Sequence, residues 1–519
     1  MEERYRLLWV DDEIELLRSQ IIFLQGKGME VTAAASGDEA IAKVRAEPFD
    51  LVLLDEMMPG RDGLSTLVEI KRLRPELPVI MATKSEREDL MEQALGYRID
   101  DFLLKPLNPA QVLASCRRVL EGRRLAQEHA IGEYARISAD LRTRDYSSLD
   151  WQGWIQTYLD LVQWDIRLSQ LTDDSLHQSH EAILREADVA FGRFIEDNYT
   201  HWLRGGQRPL LSHDIFERFA MPLLVQGKKC LFLVLDCLRL DQWLLMEPAL
   251  SDLFTLQRNY YYSILPTATP YSRNAIFSGL LPAQIAFQYP HLWEKVNISN
   301  ETGRNRHEAQ LFEMMLTRAK IKPANGLRFL KISTAEESHE AKRDFGALSK
   351  NSLVVLVVNF MDILVHYRAE SPVLREMVPD EKAFRELTLA WFRNSEVMSI
   401  LQMAARQGRT VIATTDHGSI QGNQAAIIKA GQDTSANLRY KAGTNISADS
   451  RHVLWVRKPQ EYQLPEEVKG MQYLIAKEDF YLVYPTKSEE YRKRYQGTFQ
   501  HGGISLEEMI LPLAVLTPK

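Results

Sequence analysis

The segment TVIATTDHGSI, Thr410–Ile420, contains the pattern that decides the fold of the larger part of the chain. Its run of apolar and β-branched residues predicts a buried strand, which ends in Asp416 and His417. Two more apolar runs end in the same way, KKCLFLVLD at Asp236 and SLVVLVVNFMD at Asp362. Strands that are apolar throughout are typical of a parallel sheet with helical crossovers. The carboxyl ends of such strands meet at one edge, so we expect three carboxylates that repel one another unless cations hold them.

Histidines near these carboxylates complete a candidate metal centre. Asp362 and His366 are four residues apart, so both lie on one face if the chain turns helical after its strand. The later segment FQHGGISLEEMILPL places His501 before two glycines, which allow the backbone a close approach. Asp416 and His417 are neighbours whose side chains diverge, so each could serve a different side of the centre. Mixed histidine and carboxylate ligands favour Zn²⁺, with Mn²⁺ next.

A candidate nucleophile precedes a predicted helix. The segment ILPTATPYSRNAIFSGLLP indicates a strand, a turn and then a helix from about Pro270. Thr269 is therefore expected at the helix N-terminus, where the backbone N–H groups and the dipole favour anions. A metal bound to its oxygen would lower the hydroxyl pKa and activate it for attack.

The first 120 residues show a second set of polar strand ends. Strand patterns alternate with helical patterns, which predicts a doubly wound parallel sheet. Its strands end in RLLWVDDE, FDLVLLDE, LPVIMAT and DDFLLKP. These tips supply Asp11, Asp12, Asp55, Thr83 and Lys105. Because the site of such a sheet lies at the carboxyl ends of its strands, the three carboxylates form an oxygen cluster suited to Mg²⁺.

The part of the chain from about Arg123 to Leu203 shows helical periodicity and no strand pattern. LDWQGWIQTYLDLVQWDIRL spaces its aromatic and aliphatic residues as a helix does, which predicts packing between helices. RGGQRP, residues 204–209, marks the end of this segment. We interpret it as a small helical bundle that could transmit a change in assembly to the domain that follows.

Composition is that of an ordinary globular protein. The 519 residues are 45% hydrophobic and 26% charged, with a net charge of −7, which argues against a surface devoted to nucleic acid. The three cysteines form no CxxC pair and suit a reducing compartment. No apolar run is long enough to span a membrane, and the N-terminus lacks the order of a signal peptide. A cytoplasmic location is therefore expected.

The N-terminal motifs resemble those of response-regulator receiver domains, in family order and spacing. The resemblance implies that a sensor histidine kinase phosphorylates Asp55 and that phosphorylation promotes a homodimer. It implies that Asp12, Asp55 and the carbonyl of Met57 bind Mg²⁺, with Asp11 alongside. It also implies that Thr83 and Phe102 form the switch pair and that Lys105–Pro106 is a cis peptide.

The C-terminal motifs PTATPYSRNAIFSGLLP, TTDHG and HGGISLEEMILP resemble the PglZ domain of the alkaline phosphatase superfamily. This resemblance assigns Thr269 as nucleophile and implies two zinc sites. The first would contain Asp236, Thr269, Asp416 and His417, and the second Asp362, His366 and His501. The expected fold is a flavodoxin-like receiver (1–122), a helical linker (123–205) and an alkaline-phosphatase-like α/β domain (206–519).

The same order of domains resembles PorX-like response regulators, which are associated with type IX secretion. The implied function is a receiver-controlled phosphodiesterase acting on linear or cyclic oligonucleotides. One alternative is a zinc-containing module without catalysis that docks a secretion motor or a sigma factor. Another is a phosphomonoesterase, sulfatase or mutase. Arg273, Asn274 and Lys441 are candidates for contact with substrate phosphate, with surface or structural roles as the alternative.

Overall fold

The structure is a computed structural model, and it describes residues 4–74, 76–84, 99–171, 173–293, 305–431, 434–435 and 437–519. The chain forms two compact units, one up to Asp140 and the other from Leu141 onward. Each unit is described by itself below. Within the described residues, no helix combines the length and the apolar character that crossing a bilayer requires.

The first unit is built on a five-stranded parallel sheet in the order β2-β1-β3-β4-β5. Its strands are β1 (Tyr5–Val10), β2 (Met29–Ala34), β3 (Leu51–Asp55), β4 (Val79–Thr83) and β5 (Asp101–Leu104). Its helices are α1 (Arg18–Gln25), α2 (Gly37–Ala46), α3 (Gly63–Leu73) and α4 (Pro109–Thr143). The predicted doubly wound fold is confirmed, and apolar side chains fill both faces of the sheet.

The edge strand β2 is an addition to the four strands that the sequence predicted. Only its first and last residues are buried, and the four between them are partly or fully exposed, as expected at an edge. MEVTAA lacks the long apolar run that marks the central strands, so its pattern was too weak to predict a strand.

Helices form the connector, as predicted. The helix α4, which closes the first unit, is 35 residues long, and two helices follow it, α5 (Trp151–Leu168) and α6 (Asp174–Leu203). Asp150 and Asp173 cap the N-termini of α5 and α6 by accepting hydrogen bonds from backbone N–H groups of the first turn.

The connector helices α5 and α6 belong to the second unit. Their aromatic side chains pack on the C-terminal domain through ring contacts: Phe191 and Trp202 lie 6.1 and 5.4 Å from Tyr262, centroid to centroid. Trp154 packs against Phe191 at 5.3 Å, so one aromatic cluster joins the bundle to the domain. The aromatic spacing therefore serves packing, and the predicted boundaries of three separate domains stay a prediction.

A six-stranded sheet in the order β7-β19-β10-β6-β9-β8 organises the second unit. Its strands are β6 (Cys230–Leu235), β7 (Phe254–Tyr262), β8 (Leu327–Ile332), β9 (Leu353–Val358), β10 (Thr410–Thr414) and β19 (Ile510–Pro518). The neighbours β10, β6 and β9 are parallel, as predicted, and β8 adds a fourth parallel strand that the sequence did not predict. The strand β19 adds an antiparallel pairing to β10 and to β7.

Helices and smaller sheets surround this six-stranded sheet. The helices are α7 (Met221–Val225), α8 (Leu240–Met246), α9 (Thr269–Ser278), α10 (Pro282–Gln288), α11 (Glu308–Arg318), α12 (Ala335–Ala347), α13 (Phe360–Glu370), α14 (Pro372–Met377), α15 (Glu381–Asn394), α16 (Glu396–Arg406), α17 (Ser488–Tyr495) and α18 (Leu506–Met509). The smaller sheets contain β11 (Ile420–Gly422), β12 (Gln424–Lys429), β13 (Tyr440–Gly443), β14 (Ser447–Ala448), β15 (Val453–Val456), β16 (Gln472–Ala476), β17 (Phe480–Val483) and β18 (Thr498–Gln500). Every residue of β6, β9 and β10 is buried, so the polar residues that follow them are held on a rigid edge.

Candidate active site

The acidic site of the first unit lies at the carboxyl ends of its strands. Single carboxylate oxygens of Asp11, Asp12 and Asp55 lie within 4.8 Å of one another. Lys105 Nζ is 2.8 Å from Asp11 Oδ2 and 2.9 Å from Asp55 Oδ2, so one cation already bridges two of the carboxylates. Thr83 is buried at the end of β4, and the predicted cis peptide Lys105–Pro106 is confirmed.

Burial and a neighbouring ammonium group act in opposite directions on the Asp55 carboxyl group. Burial raises the pKa of Asp55 above its ordinary value, while the adjacent Lys105 ammonium opposes that shift. The Asp11 and Asp55 carboxylates, in turn, raise the pKa of Lys105 despite the cost of its burial. Phe102, in β5, is partly buried and packs against the apolar side chains on one face of the sheet. Met57 is exposed. The oxygen-rich cluster suits Mg²⁺, and that assignment stays a prediction.

In the second unit, one group of candidate ligands gathers between β6, β10 and α9. Asp236 directly follows β6, and Asp416 and His417 are the second and third residues after the end of β10. Ligand atoms of these three residues lie within 4.8 Å of one another, and all three are buried. Thr269, the first residue of α9, places its Oγ1 2.9 Å from His417 Nε2. The candidate nucleophile thus lies beside the first carboxylate group, as the sequence predicts.

A second group forms where α13 meets the chain after β18. Asp362 and His366 lie one turn apart on α13, with Asp362 Oδ1 3.3 Å from His366 Nε2. His501 Nε2 is 3.4 Å from the same oxygen and 3.2 Å from His366 Nε2. A tetrahedral Zn²⁺ with bonds of about 2.0–2.1 Å holds its ligand atoms about 3.3 Å apart. The triangle therefore has the size that one zinc ion requires.

The two groups share one centre. The imidazoles of His417 and His501 stack with centroids 4.2 Å apart, and ligand atoms of Asp362, His417 and His501 lie within 4.8 Å of one another. All seven side chains that the sequence assigned to two metal sites are therefore brought together.

The donor atoms fit bound cations. Asp236 Oδ1 and Asp416 Oδ2 are buried and accept no hydrogen bond from the residues that the structure describes. Burial, reinforced by the Asp416 carboxylate, raises the pKa of Asp236 to about 8, and burial lowers the pKa of His417 to about 4. Burial opposes ionisation of Asp362, yet the two adjacent imidazoles hold its pKa well below its ordinary value. Repelling carboxylates beside the neutral imidazole of His417 form a ligand set that a divalent metal stabilises.

Gly418 explains the third residue of the DHG motif. A Cβ at this position would lie 1.9 Å from the backbone oxygen of Glu507, so only glycine allows the loop after β10 to pack there. This contact fixes the chain directly after His417.

Two buried ion pairs that the sequence analysis missed support the ligands. Glu508 accepts hydrogen bonds from the Arg439 guanidinium and from Gly503 N, which orders the loop after His501. Arg273 Nη1 lies 2.5 Å from Asp236 Oδ2, and its Nε is 2.6 Å from Glu308 Oε1. Nothing in the local pattern marks these partners, because Arg273 and Asp236 are 37 residues apart and Arg439 and Glu508 are 69 apart.

The three candidates for contact with substrate phosphate are engaged inside the protein. Arg273 is fully enclosed by its carboxylate partners. Asn274 Nδ2 donates to the carbonyl of Pro270 within α9, and Lys441 Nζ donates to the carbonyl of Ser435. Each side chain is buried, which is the structural alternative that the sequence analysis kept open.

The family comparisons agree with this geometry. The family model described as BREX system PglZ alkaline phosphatase-like domain matches residues 215–516, which is more than half of the chain. The chain belongs to the PglZ family. Its PglZ domain is preceded by matches to the response regulator receiver domain, residues 7–117, and to the PorX response regulator linker domain, residues 124–203. The three together match a PorX-like regulator.

Individual relatives of this PglZ protein are similar to part of its chain. The transcriptional regulatory protein BaeR of Escherichia coli is 32% identical over 169 residues, 32% of this chain and 67% of BaeR. ResD of Bacillus subtilis is 35% identical over 115 residues, which are 22% of this chain and 48% of ResD. The chain therefore spans about half the length of that relative. The structure of a CheY-like receiver from Methanospirillum hungatei is 31% identical, with a TM-score of 0.23, covering 24% of this chain and 99% of that one.

Proposed function

We propose that phosphorylation of Asp55 controls homodimerisation and a metal-dependent phosphodiesterase in the PglZ domain. The substrates we propose are linear or cyclic oligonucleotides, and the process is regulation of type IX secretion in the cytoplasm. A receiver, a PorX linker and a PglZ domain in one chain support this combination. The receiver requires a phosphodonor partner, and we propose a sensor histidine kinase.

One observation carries the catalytic part of the proposal. Thr269 Oγ1 lies at the N-terminus of α9, 2.9 Å from His417 Nε2 and beside the buried carboxylates of Asp236 and Asp416. The helix dipole favours negative charge at this end, so it stabilises both the Thr269 alkoxide and an arriving phosphate.

Thr269 performs the attack, and other residues of the chain hold the site in position. Thr269 Oγ1 loses its proton to water and attacks the phosphorus of the diester in line. The bond to the leaving ester oxygen breaks, that oxygen takes up a proton and departs as an alcohol, and the other ester group stays on a phosphodiester of Thr269. Water then breaks the bond between the phosphorus and Thr269 Oγ1, which restores the hydroxyl and releases a phosphate monoester. Arg273 holds Asp236 in position, and the Arg439–Glu508 pair holds the loop of His501.

Two divalent cations, which we propose are Zn²⁺ with Mn²⁺ as the alternative, would supply Lewis acidity and neutralise charge. Asp236, Asp416, His417 and Thr269 would hold one of them, and Asp362, His366 and His501 the other. In the receiver, Mg²⁺ would be held by Asp11, Asp12, Asp55 and the carbonyl of Met57.

The test is turnover of bis-p-nitrophenyl phosphate by the full chain loaded with Zn²⁺, compared with p-nitrophenyl phosphate as monoester. We expect preference for the diester and loss of activity in Thr269→Ala, with two metal ions per chain still found by elemental analysis. Thr317→Ala is the matched control, because Thr317 is an exposed threonine of α11 whose Oγ1 donates to the carbonyl of Glu313 on the same helix. Turnover that survives Thr269→Ala would refute the nucleophile. Turnover of neither ester, with metal bound, would favour a module that docks a secretion motor or sigma factor.

A further inference from the structure

A cavity separate from the metal centre lies inside the second unit, between the connector helices and the C-terminal domain. Its volume is about 630 Å³. Helices α5 and α6 line one side of it, and the residues after β10, the start of α15 and α18 line the other. The ligands of the metal centre do not line it, so it is a separate space.

Two buried polar groups of the cavity wall lack partners. Tyr158 on α5 and Glu507 on α18 are 0% and 2% exposed. Among the residues that the structure describes, nothing hydrogen-bonds to Tyr158 Oη or to Glu507 Oε2. A buried polar atom without a partner costs about 1–3 kcal/mol, so both atoms are unexplained unless a ligand or water satisfies them.

The wall carries an excess of negative charge. Nine carboxylates and four basic side chains line the cavity. The two buried arginines are already paired, Arg239 with Asp241 at 3.0 Å and Glu381 at 2.8 Å, and Arg385 with Asp241 at 3.2 Å. Because the arginines neutralise the carboxylates around Asp241, that cluster offers no free metal site. The same ion pairs leave neither arginine free to bind an anion.

Three further carboxyl groups of the wall form no ion pair among the described residues. Asp188 on α6 and Glu507 face the same space, with Glu478 nearby. Burial raises the pKa of all three carboxyl groups, those of Glu507 and Glu478 to about 7, and repulsion from Glu507 and Glu478 adds to the shift at Asp188. Each group would regain its charge if a cation were bound beside it.

The size of the cavity indicates an organic ligand. A single water occupies about 30 Å³, and pockets for small organic molecules measure about 300–1,000 Å³. The cavity falls in the second class.

We propose that this cavity binds a small aliphatic amine carrying two or more positive charges, held by Glu507, Asp188 and the hydroxyl of Tyr158. The bound amine would join the connector bundle to the domain that carries the metal centre. Asp188 Oδ1 already accepts a hydrogen bond from Leu506 N at 2.8 Å, and Arg239 donates to the carbonyl of Ser419, two residues after His417. An occupant would therefore stiffen the contact between α6 and the loops that position the ligands.

The test is isothermal titration calorimetry of the full metal-replete chain with spermidine at 150 mM salt, with putrescine and Mg²⁺ in parallel. We expect saturable binding of one spermidine per chain. Glu507→Gln and Tyr158→Phe should each weaken it, Glu507→Gln by about ten-fold or more because it removes a hydrogen bond to a charged group. Thermal melting establishes that each variant is folded, and Tyr158→Phe removes a single unpaired oxygen.

Glu313→Gln is the matched control, since it removes the same charge from an exposed position of α11 outside the cavity. It should leave spermidine binding unchanged. No saturable heat in the unmodified chain would overturn the proposal. So would several weak sites that Glu507→Gln leaves intact, or binding of Mg²⁺ alone. Because the readout is binding, its failure is distinguishable from a failure of phosphodiester turnover.

Discussion

Replacing Glu508 by glutamine tests whether the buried ion pair with Arg439 holds the loop of His501. Both side chains are fully buried, and Glu508 accepts from Arg439 Nη2 at 2.5 Å, from Gly503 N at 2.8 Å and from Ser505 Oγ at 2.9 Å. Glu508→Gln keeps the shape but removes the charge, which leaves the guanidinium uncompensated in the interior.

The expected cost follows from that burial. Removing one partner of a buried ion pair destabilises by about 3–5 kcal/mol. The second unit runs from Leu141 to Lys519, and at about 2.1 cal/mol/K per residue its unfolding entropy is about 0.8 kcal/mol/K. The melting temperature of this unit should therefore fall by about 4–6 °C. Because the loop carries His501, the zinc content per chain should also fall.

Differential scanning calorimetry and elemental analysis of the full chain measure both effects. Glu461→Gln is the control, because its pair with Lys458 at 3.2 Å is exposed and worth about 0–1 kcal/mol. A shift for Glu508→Gln no larger than that of the control would refute the argument that the buried pair organises this loop.

Three further predictions concern other parts of the molecule. Acetyl phosphate with Mg²⁺ should phosphorylate the chain and raise its dimer fraction in sedimentation velocity, and Asp55→Asn should abolish both, because Asp55 is the carboxylate bound by Lys105. Gly418→Ala should cost about 1–3 kcal/mol or more, seen as a lower melting temperature, whereas Gly346→Ala, with open space around it, should not. In EDTA-treated protein, the raised pKa of Asp236 contributes stability that is complete below about pH 4 and is lost as pH rises through about 8. The melting temperature should fall over that window, and Asp236→Asn should reduce the slope; an unchanged slope would contradict the assignment.

The strand patterns predicted most of the fold because buried parallel strands are apolar throughout. The ends of β6 and β10 could be read directly, since each strand stops one or two residues before an aspartate. The predicted end of β9 at Asp362 is wrong, because that strand ends at Val358 and Asp362 lies in the first turn of α13. The antiparallel pairing of β19 could not, because ILPLAVLTP is equally apolar in either direction. Its place between β7 and β10 depends on contacts distant in sequence.

The candidate ligands could likewise be predicted, whereas their supports could not. An aspartate at a strand end or a histidine one turn along a helix has a local signature. The pairing of Arg273 with Glu308, or of Asp188 with Leu506 N, has none, because either partner alone is an ordinary polar residue. The same is true of the acidic cavity, whose wall is assembled from several separate segments.

The order of residues by itself determined which chemistry the chain can carry: carboxylates, imidazoles and a threonine placed where buried strands and a helix begin or end. Folding decided which charges are compensated and which are not. The physical reason is burial. In the dry interior a charge is stable only beside a partner, and that partner comes from a segment distant in sequence that folding brings close.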